Sequence, residues 1–410
     1  MSDEADTKTA SVSGSTTARN DTLRFALDVL PLMTIVLSGF LIIGIILPVL
    51  PRHVHDDLKF STFAVGCVTA AQFVASLASR LYAGRYADTH GGRRAIALGM
   101  VITLLGGIFY MASLLMRDHH AAALGLILIG RAFVGGAESL IITGGMTLGL
   151  AVAGPKSTGR VIAWVGTAMF AAFALGSPIG LWIYDRFGFY RVVLLSMLLP
   201  VVALLVVRVL PEGVKAATRP GSFAKTLSIV WLPGLGAAFN GVGFAALLSF
   251  SVLLFSEHGW NAYGWLPITS FAIALIAARL FLGQLIDVVG SMRVGLFFTV
   301  VNATGQVLMW WAPSPWISAI ASALTGAGWA MAYPAFGAEA VSRMRSNQRG
   351  LAMAAYSSFP DFAIGVASPL LGLLGNNGHL GPVYLWSATA VLMGSPVALM
   401  SSRGQRHRHV

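Results

Sequence analysis

The stretch Gly84-Arg-Tyr-Ala-Asp88-Thr-His-Gly91-Gly92-Arg93-Arg94 returns 199 residues later as Gly283-Gln-Leu-Ile-Asp287-Val-Val-Gly290-Ser-Met-Arg293. Both fit G-x-x-x-D-x-x-G-x-[RM]-R, and each separates two long apolar runs. Counting outward from the two copies gives twelve candidate spans. Their approximate limits are 27–50, 60–83, 95–116, 121–152, 161–184, 190–210, 227–255, 262–282, 294–312, 316–340, 350–374 and 382–400. The longest interior connection, Pro211 to Thr226, divides them six and six, and the two copies occupy equivalent places in the two sets. An internal repeat at that scale marks duplicated bundles. Two such bundles with a site between them form a transporter architecture.

Composition agrees. Of 410 residues, 56% are hydrophobic and 10% charged, against about 25% charged in soluble domains. A membrane helix uses about 20 mostly apolar residues, so ten to twelve spans can be supplied. A disordered chain, a nucleic-acid-binding domain and an ordinary soluble enzyme are excluded. The formal net charge of +11 reads as topology rather than as an acidic partner. With the N-terminus in the cytoplasm, basic residues concentrate in the tail, in the even-numbered connections and in the C-terminal segment. Arg80, Arg85, Arg93 and Arg94 flank the second connection, and Arg279 and Arg293 the eighth. Only Arg52, Lys59, Arg117, Arg186 and Arg191 fall outside, as the positive-inside rule requires. The expected organisation is a disordered cytoplasmic tail (1–24), a six-helix bundle (25–210), a cytoplasmic linker (211–226), a second bundle (227–400) and a basic cytoplasmic tail (401–410). The start of the chain lacks the pattern of a cleaved signal peptide, and the single cysteine, Cys67, cannot form an internal disulfide.

On these motifs the chain resembles the major facilitator superfamily over roughly residues 25–400. The Gly84–Arg94 segment looks like the family's signature loop between its second and third helices, echoed at Gly283–Arg293. Thr89 and Gly92 stand where the family carries a basic residue and an arginine, so Arg93 and Arg94 supply the positive charge. The resemblance implies a gating role for Gly84, Asp88, Gly91, Arg93 and Arg94, latching the halves in the outward-facing state, with Gly283, Asp287 and Arg293 as a weaker copy. Arg131-Ala-Phe-Val-Gly135 is similar to an R-x-x-x-G motif of proton-coupled members. Gly176-Ser-Pro178-Ile-Gly180 is a loose form of the Gly-Pro motif of drug and metabolite antiporters. Gly135, Gly176, Pro178 and Gly180 are expected in helix packing. The run from Gly130 to Tyr184 resembles a bacterial subgroup described as arabinose or drug efflux permeases.

A charge in hydrocarbon is expensive, about 3 kcal/mol on insertion scales, so the few present point to function or to specific packing. Arg131 lies ten residues into the fourth span, about 15 Å deep. It either faces a cavity or locks helices through backbone carbonyls. Glu138 follows on the same face about 10 Å further on, as a titrating carboxylate or as an acid reaching the interface. Asp361 lies near the middle of the eleventh span behind Pro360, whose ring frees the carbonyl of Tyr356; a kinked helix with a carboxylate suits a gated proton site. Asp361, Glu138 and Arg131 are therefore the proton-coupling candidates, while Asp28 reads as a helix-end acid. Asn240, Gln72, Trp329, Tyr333 and Tyr356 are candidates for a substrate cavity, with interhelical packing as the alternative. His53, His55, His119, His120 and His258 read as solvated residues near outer ends. No Cys/His metal pair, phosphate-binding loop or nucleophile–base cluster is visible in the sequence, so no metal, cofactor or enzymatic activity is expected.

The sequence thus predicts an all-α membrane protein of twelve helices in two six-helix bundles. The expected function is proton-coupled efflux of a small organic solute by alternating access. Proton-coupled uptake of a sugar or organic acid is the alternative, and a non-transporting sensor a remote one. The expected partners are the solute, protons and the lipid bilayer, with no nucleic acid and a functional monomer. A bacterial inner membrane is the implied location, with both termini cytoplasmic.

Overall fold

The computed structural model describes residues 30–116, 118–154, 158–210, 222–344, 349–375 and 379–406. Among these residues twelve long helices follow in chain order: α1 Leu30–Asp57, α2 Thr62–His90, α3 Gly92–Leu115, α4 His120–Ala153, α5 158–187, α6 189–207, α7 Phe223–Glu257, α8 Leu266–Leu282, α9 Ser291–Trp311, α10 Pro315–Ser342, α11 Arg349–Leu374 and α12 from Gly381 to Met400. There is no strand among the described residues. The expected tail 1–24, Asp28 and the linker residues 211–221 lie outside them.

The signature segment corrects its own reading. It is not a loop, because α2 stays helical through His90 and only Gly91 breaks the chain, at φ 89°. The second copy also turns at its glycine, Gly290 at φ 98°, but there the helix is interrupted first, with a turn at Gly283–Gln284 and a short helical piece over Leu285–Val289. Positive φ strains a side-chain-bearing residue, so both motif glycines serve as one-residue hinges at matching places in the repeat. Gly188, φ 75°, likewise turns α5 into α6 with no further connection. The polar character of residues 84–90 predicts a loop, yet they form the last turns of α2.

The halves repeat in their packing as well as in their motif. In the first half α4 lies between α2 and α3. The Ser76 and Ser139 hydroxyls meet at 3.1 Å, and Gly106 sits on the carbonyl of Gly130. In the second half α10 lies between α8 and α9, with Gly326 on the backbone of Phe271 and Gly328 on that of Asn302. Similarly α5 packs on α1 through Gly176 and Gly44, and α11 on α7 through Pro360 and Gly241. Between apolar helices in lipid no hydrophobic drive remains, so small residues and interhelical hydrogen bonds hold the bundle.

Two seams join the halves. Along α2–α11, Thr62 Oγ1 donates to the Gly372 carbonyl at 2.7 Å, and Gly66 abuts the backbone at Ser368. Along α5–α8, Thr269 Oγ1 donates to Ala174 O at 3.1 Å and Ser177 Oγ to Trp265 O at 3.3 Å. Both sets lie toward the face away from the termini. The hydrogen bonds of Arg80 to Ser357 and Asp361 join the halves deeper, at the level of the cavity.

Candidate functional site

A cavity of about 170 Å³ lies between the halves at mid-depth. Phe73, Phe170, Phe173, Phe244, Trp329 and Tyr333 form much of its wall, and four charged side chains enter it: Arg80 from α2, Glu138 from α4, Arg279 from α8 and Asp361 from α11. The aromatic wall is continuous. Phe244 stacks on Trp329 at 5.8 Å between ring centroids, and Trp329 meets Tyr333 at 5.2 Å. Tyr356 stands behind this wall rather than in it. It is fully buried and its hydroxyl donates to the Tyr333 carbonyl at 2.6 Å, so it fixes Tyr333 in place.

The charges are arranged unequally. Arg80 crosses from one half to the other, donating from one guanidinium nitrogen to the Asp361 carboxylate and from another to Ser357 Oγ. Gln72 Nε2 donates to Glu138 Oε2 at 2.6 Å, and Glu138 lies within electrostatic reach of Asp361, Arg80 and Arg131. Arg279 makes no hydrogen bond or ion pair among the described residues. Its guanidinium lies 5.3 Å over the Phe170 ring, beside Gly166.

Of the residues singled out in the sequence, Asp361, Glu138, Gln72, Trp329 and Tyr333 come together at this cavity. Arg131 does not line it. It is buried between helices at 2% exposure, next to Tyr110, with Nε and Nη1 lacking a hydrogen-bond partner. Asn240 also lies elsewhere: its side-chain amide donates to Thr299 Oγ1 at 2.9 Å and to Gly236 O at 3.0 Å, tying α7 to α9. Gly135 packs on the backbone of Gln72, and Gly176 and Gly180 on that of Gly44 and Ile45, while Pro178 lies near the outer end of α5. In the signature segment Gly84 is open on its Cβ side, and Asp88 is half-buried without a hydrogen bond among the described residues. Arg93 donates to the Leu210 carbonyl at 2.9 Å within its own half. Arg94, Asp287 and Arg293 are exposed, and Gly283 stands beside the Arg279 carbonyl. His53 is not solvated. It is 7% exposed, stacked on Phe189 and bonded to Asp57 at 2.7 Å. Among the described residues no cluster of His, Cys, Asp and Glu is arranged to hold a metal.

The sequence reading missed both cavity arginines by counting them as loop-flanking charges. A signal for them was available. The repeat extends four residues upstream, as Arg80-Leu-Tyr-Ala-Gly84 and Arg279-Leu-Phe-Leu-Gly283, with the same 199-residue offset. α2 runs on to His90, so Arg80 lies well inside its helix, and Arg279, in the last turn of α8, lines the same cavity from the other half.

Comparison with known proteins agrees with this geometry. A sequence model of the Major Facilitator Superfamily matches residues 32–368. An uncharacterized MFS-type transporter of Salmonella typhimurium is 37% identical over 359 residues, covering 88% of this chain and 92% of that protein. The uncharacterized MFS-type transporter YhhS of Escherichia coli is 32% identical over 369 residues, covering 90% and 91%. In fold, the chain is similar to the nucleoside transporter NupG, with a TM-score of 0.73 at 15% identity over 91% of this chain and 99% of that one. It is equally similar to the D-xylose-proton symporter, with a TM-score of 0.73 at 14% identity over 91% and 97%. With its duplicated helix motif, its cavity between two bundles and its match over most of its length, the chain belongs to the major facilitator superfamily and is a multi-pass secondary transporter.

Proposed function

We propose that this transporter is proton-coupled and exports a small organic solute by antiport, with Asp361 and Glu138 carrying the proton. The observation that carries the coupling is the Arg80–Asp361 ion pair, which ties α2 of one half to α11 of the other inside the cavity. Protonation of Asp361 removes the charge that holds Arg80, so proton occupancy biases how the halves sit. A bound species shifts a conformational equilibrium only through its different affinity for the two states, and this bridge supplies that difference. Glu138, within electrostatic reach of the pair, is the second carboxylate, and Arg131 tunes it from within α4. The halves meet tightly away from the termini, which supports a conformation that takes solute from the terminal face. With the termini cytoplasmic, as the basic residues suggest, that face is the inner one. The Gly-Pro segment of α5 adds the lean toward export.

A second reading, proton-linked uptake of an organic acid, is favoured by one feature: Arg279 in the cavity wall has no counter-charge among the described residues. Everted vesicles loaded with a pH-reporting dye and energised separate the two. Under antiport, a panel compound discharges the proton gradient in wild type and fails to do so in Asp361→Asn and Glu138→Gln vesicles. If no compound acts on wild-type vesicles while intact cells accumulate a panel solute only when the protein is present, export is wrong and uptake replaces it.

A further inference from the structure

We infer that Arg279 and the aromatic wall around it form an anion subsite, and that the transported solute is an aromatic or similarly flat organic carboxylate. The inference rests on the reading of this cavity as the solute site and names the class of solute.

The argument starts from the repeat. Arg80 and Arg279 are equivalent residues of α2 and α8, 199 positions apart and each four residues before its motif glycine. Each reaches across to the helix of the opposite half that packs on its own, Arg80 to α11 and Arg279 to α5. Arg80 finds a carboxylate and a hydroxyl there, Asp361 and Ser357. Arg279 finds Gly166 and Phe170. A Cβ on Gly166 would lie 2.7 Å from Arg279 Nη1, so the missing side chain leaves the space the guanidinium uses. Along α5 the sole acid is Asp185, at the far end, and it is occupied by Arg52 at 2.7 Å. The titratable side chain facing Arg279 is Tyr333 of α10; Asp361, Arg80 and Glu138 share the cavity but are committed to one another and to Ser357 and Gln72.

An arginine stays charged in proteins and presents a planar fork suited to two carboxylate oxygens. Burying it without a counter-charge is costly in a membrane. One cation–π contact over Phe170 offsets part of that cost, and no carboxylate among the described residues pairs with it to supply the rest. A solute carboxylate would. Phe170, Phe173, Phe244 and Trp329 border the same space, so the body of the solute meets rings while its carboxylate meets Arg279. The repeat has kept the cation at both seams and has left the second without its anion.

Equilibrium dialysis on the purified protein in lipid nanodiscs tests this without any proton gradient. The probes are 2-naphthoate and its uncharged isostere 2-naphthamide. Wild type is expected to bind the carboxylate at least tenfold more tightly than the amide. Arg279→Gln abolishes that preference and leaves amide affinity within twofold, and Arg279→Lys keeps part of it. If Arg279→Gln does not fold, Gly166→Val, which fills the place of the guanidinium, must weaken the carboxylate alone. Equal affinities in wild type, no carboxylate binding, or a preference that survives Arg279→Gln but vanishes in Arg80→Gln overturns the subsite. The preference is read here by dialysis with no proton gradient, and coupling by the vesicle assay, so failure of the coupling reading and failure of this one give different results.

Discussion

The two seams of this transporter carry the same signature and end in different chemistry. On α2–α11 the arginine one turn before the motif glycine is matched by Asp361; on α5–α8 its repeat mate rests on Gly166 and Phe170. Duplication explains why a cation stands at both seams. Divergence of the facing helix explains why one seam is an internal ion pair and the other a cation in an aromatic wall. On the reading proposed above, the first seam answers to protons and the second to the solute. An alternating-access cycle needs the two signals to bias the same rocking motion from opposite sides of one cavity.

The largest effect is expected from unbalancing the first seam. Asp361→Leu or Arg80→Leu leaves one charge half-buried without its partner, at a cost of about 3 kcal/mol. The double variant removes both charges and recovers most of the stability, because replacing an intact buried pair by apolar side chains is often neutral. Thermal unfolding in detergent should therefore rank the double variant above either single one. Proton-driven transport should stay down by roughly 100-fold in all three, equivalent to about 2.7 kcal/mol of lost differential binding. A double variant that regains transport along with stability would reduce Arg80–Asp361 to a structural contact and erase the contrast between the seams.

A smaller effect is expected from wedging the outer end of the same seam. Gly372 faces the backbone of Thr62 closely enough that any side chain there must push the helices apart. Gly372→Val should open α2–α11 on the face away from the termini and lower transport about tenfold, equivalent to about 1.4 kcal/mol. Cys67, the one cysteine of the chain, is half-buried one residue beyond Gly66 and reports the opening. Its alkylation should speed up in Gly372→Val. It should stay unchanged in Ser177→Ala, which removes a 3.3 Å hydrogen bond from the other seam worth about 1 kcal/mol. Equal acceleration by both changes would mean that the seams open as one rigid unit and carry no separate signals.

The fold was legible because bilayer thickness imposes apolar runs of fixed length and because the Gly84 and Gly283 segments survived duplication. Helix ends were less legible. Polar residues at 84–90 looked like a loop, whereas backbone hydrogen bonding carried α2 on to Gly91, the residue whose φ only glycine tolerates. In the site, Asp361, Glu138, Gln72, Trp329 and Tyr333 could be named because charged or amphipathic side chains deep in a span demand a polar neighbour or a cavity. Arg80 and Arg279 were hidden for the opposite reason. An arginine a few residues from a polar segment looks like a topology signal, and only the cavity that both line in the folded chain shows them to be at mid-depth. Asn240 and Arg131 show the limit of the depth argument, which says that a polar group must be satisfied but not whether a cavity or a neighbouring helix satisfies it.

Asn240 gives the smallest expected effect and tests that limit directly. Its amide joins a ladder inside one half: it donates to Thr299, while Asn302 Nδ2 donates back to the Asn240 carbonyl at 3.1 Å, and Gln306 bonds Thr325 at 3.0 Å one turn further on. Such interhelical bonds average about 0.6 kcal/mol in membranes and reach about 1.7. Asn240→Ala should thus lower the unfolding midpoint slightly and leave the affinity for carboxylate and amide probes unchanged, because the ladder holds α7 to α9 on the side away from both seams. A change in probe affinity without a change in stability would return Asn240 to the solute path. It would also mean that the cavity reaches behind α7, so that the aromatic wall between the two seams is not the boundary of the site.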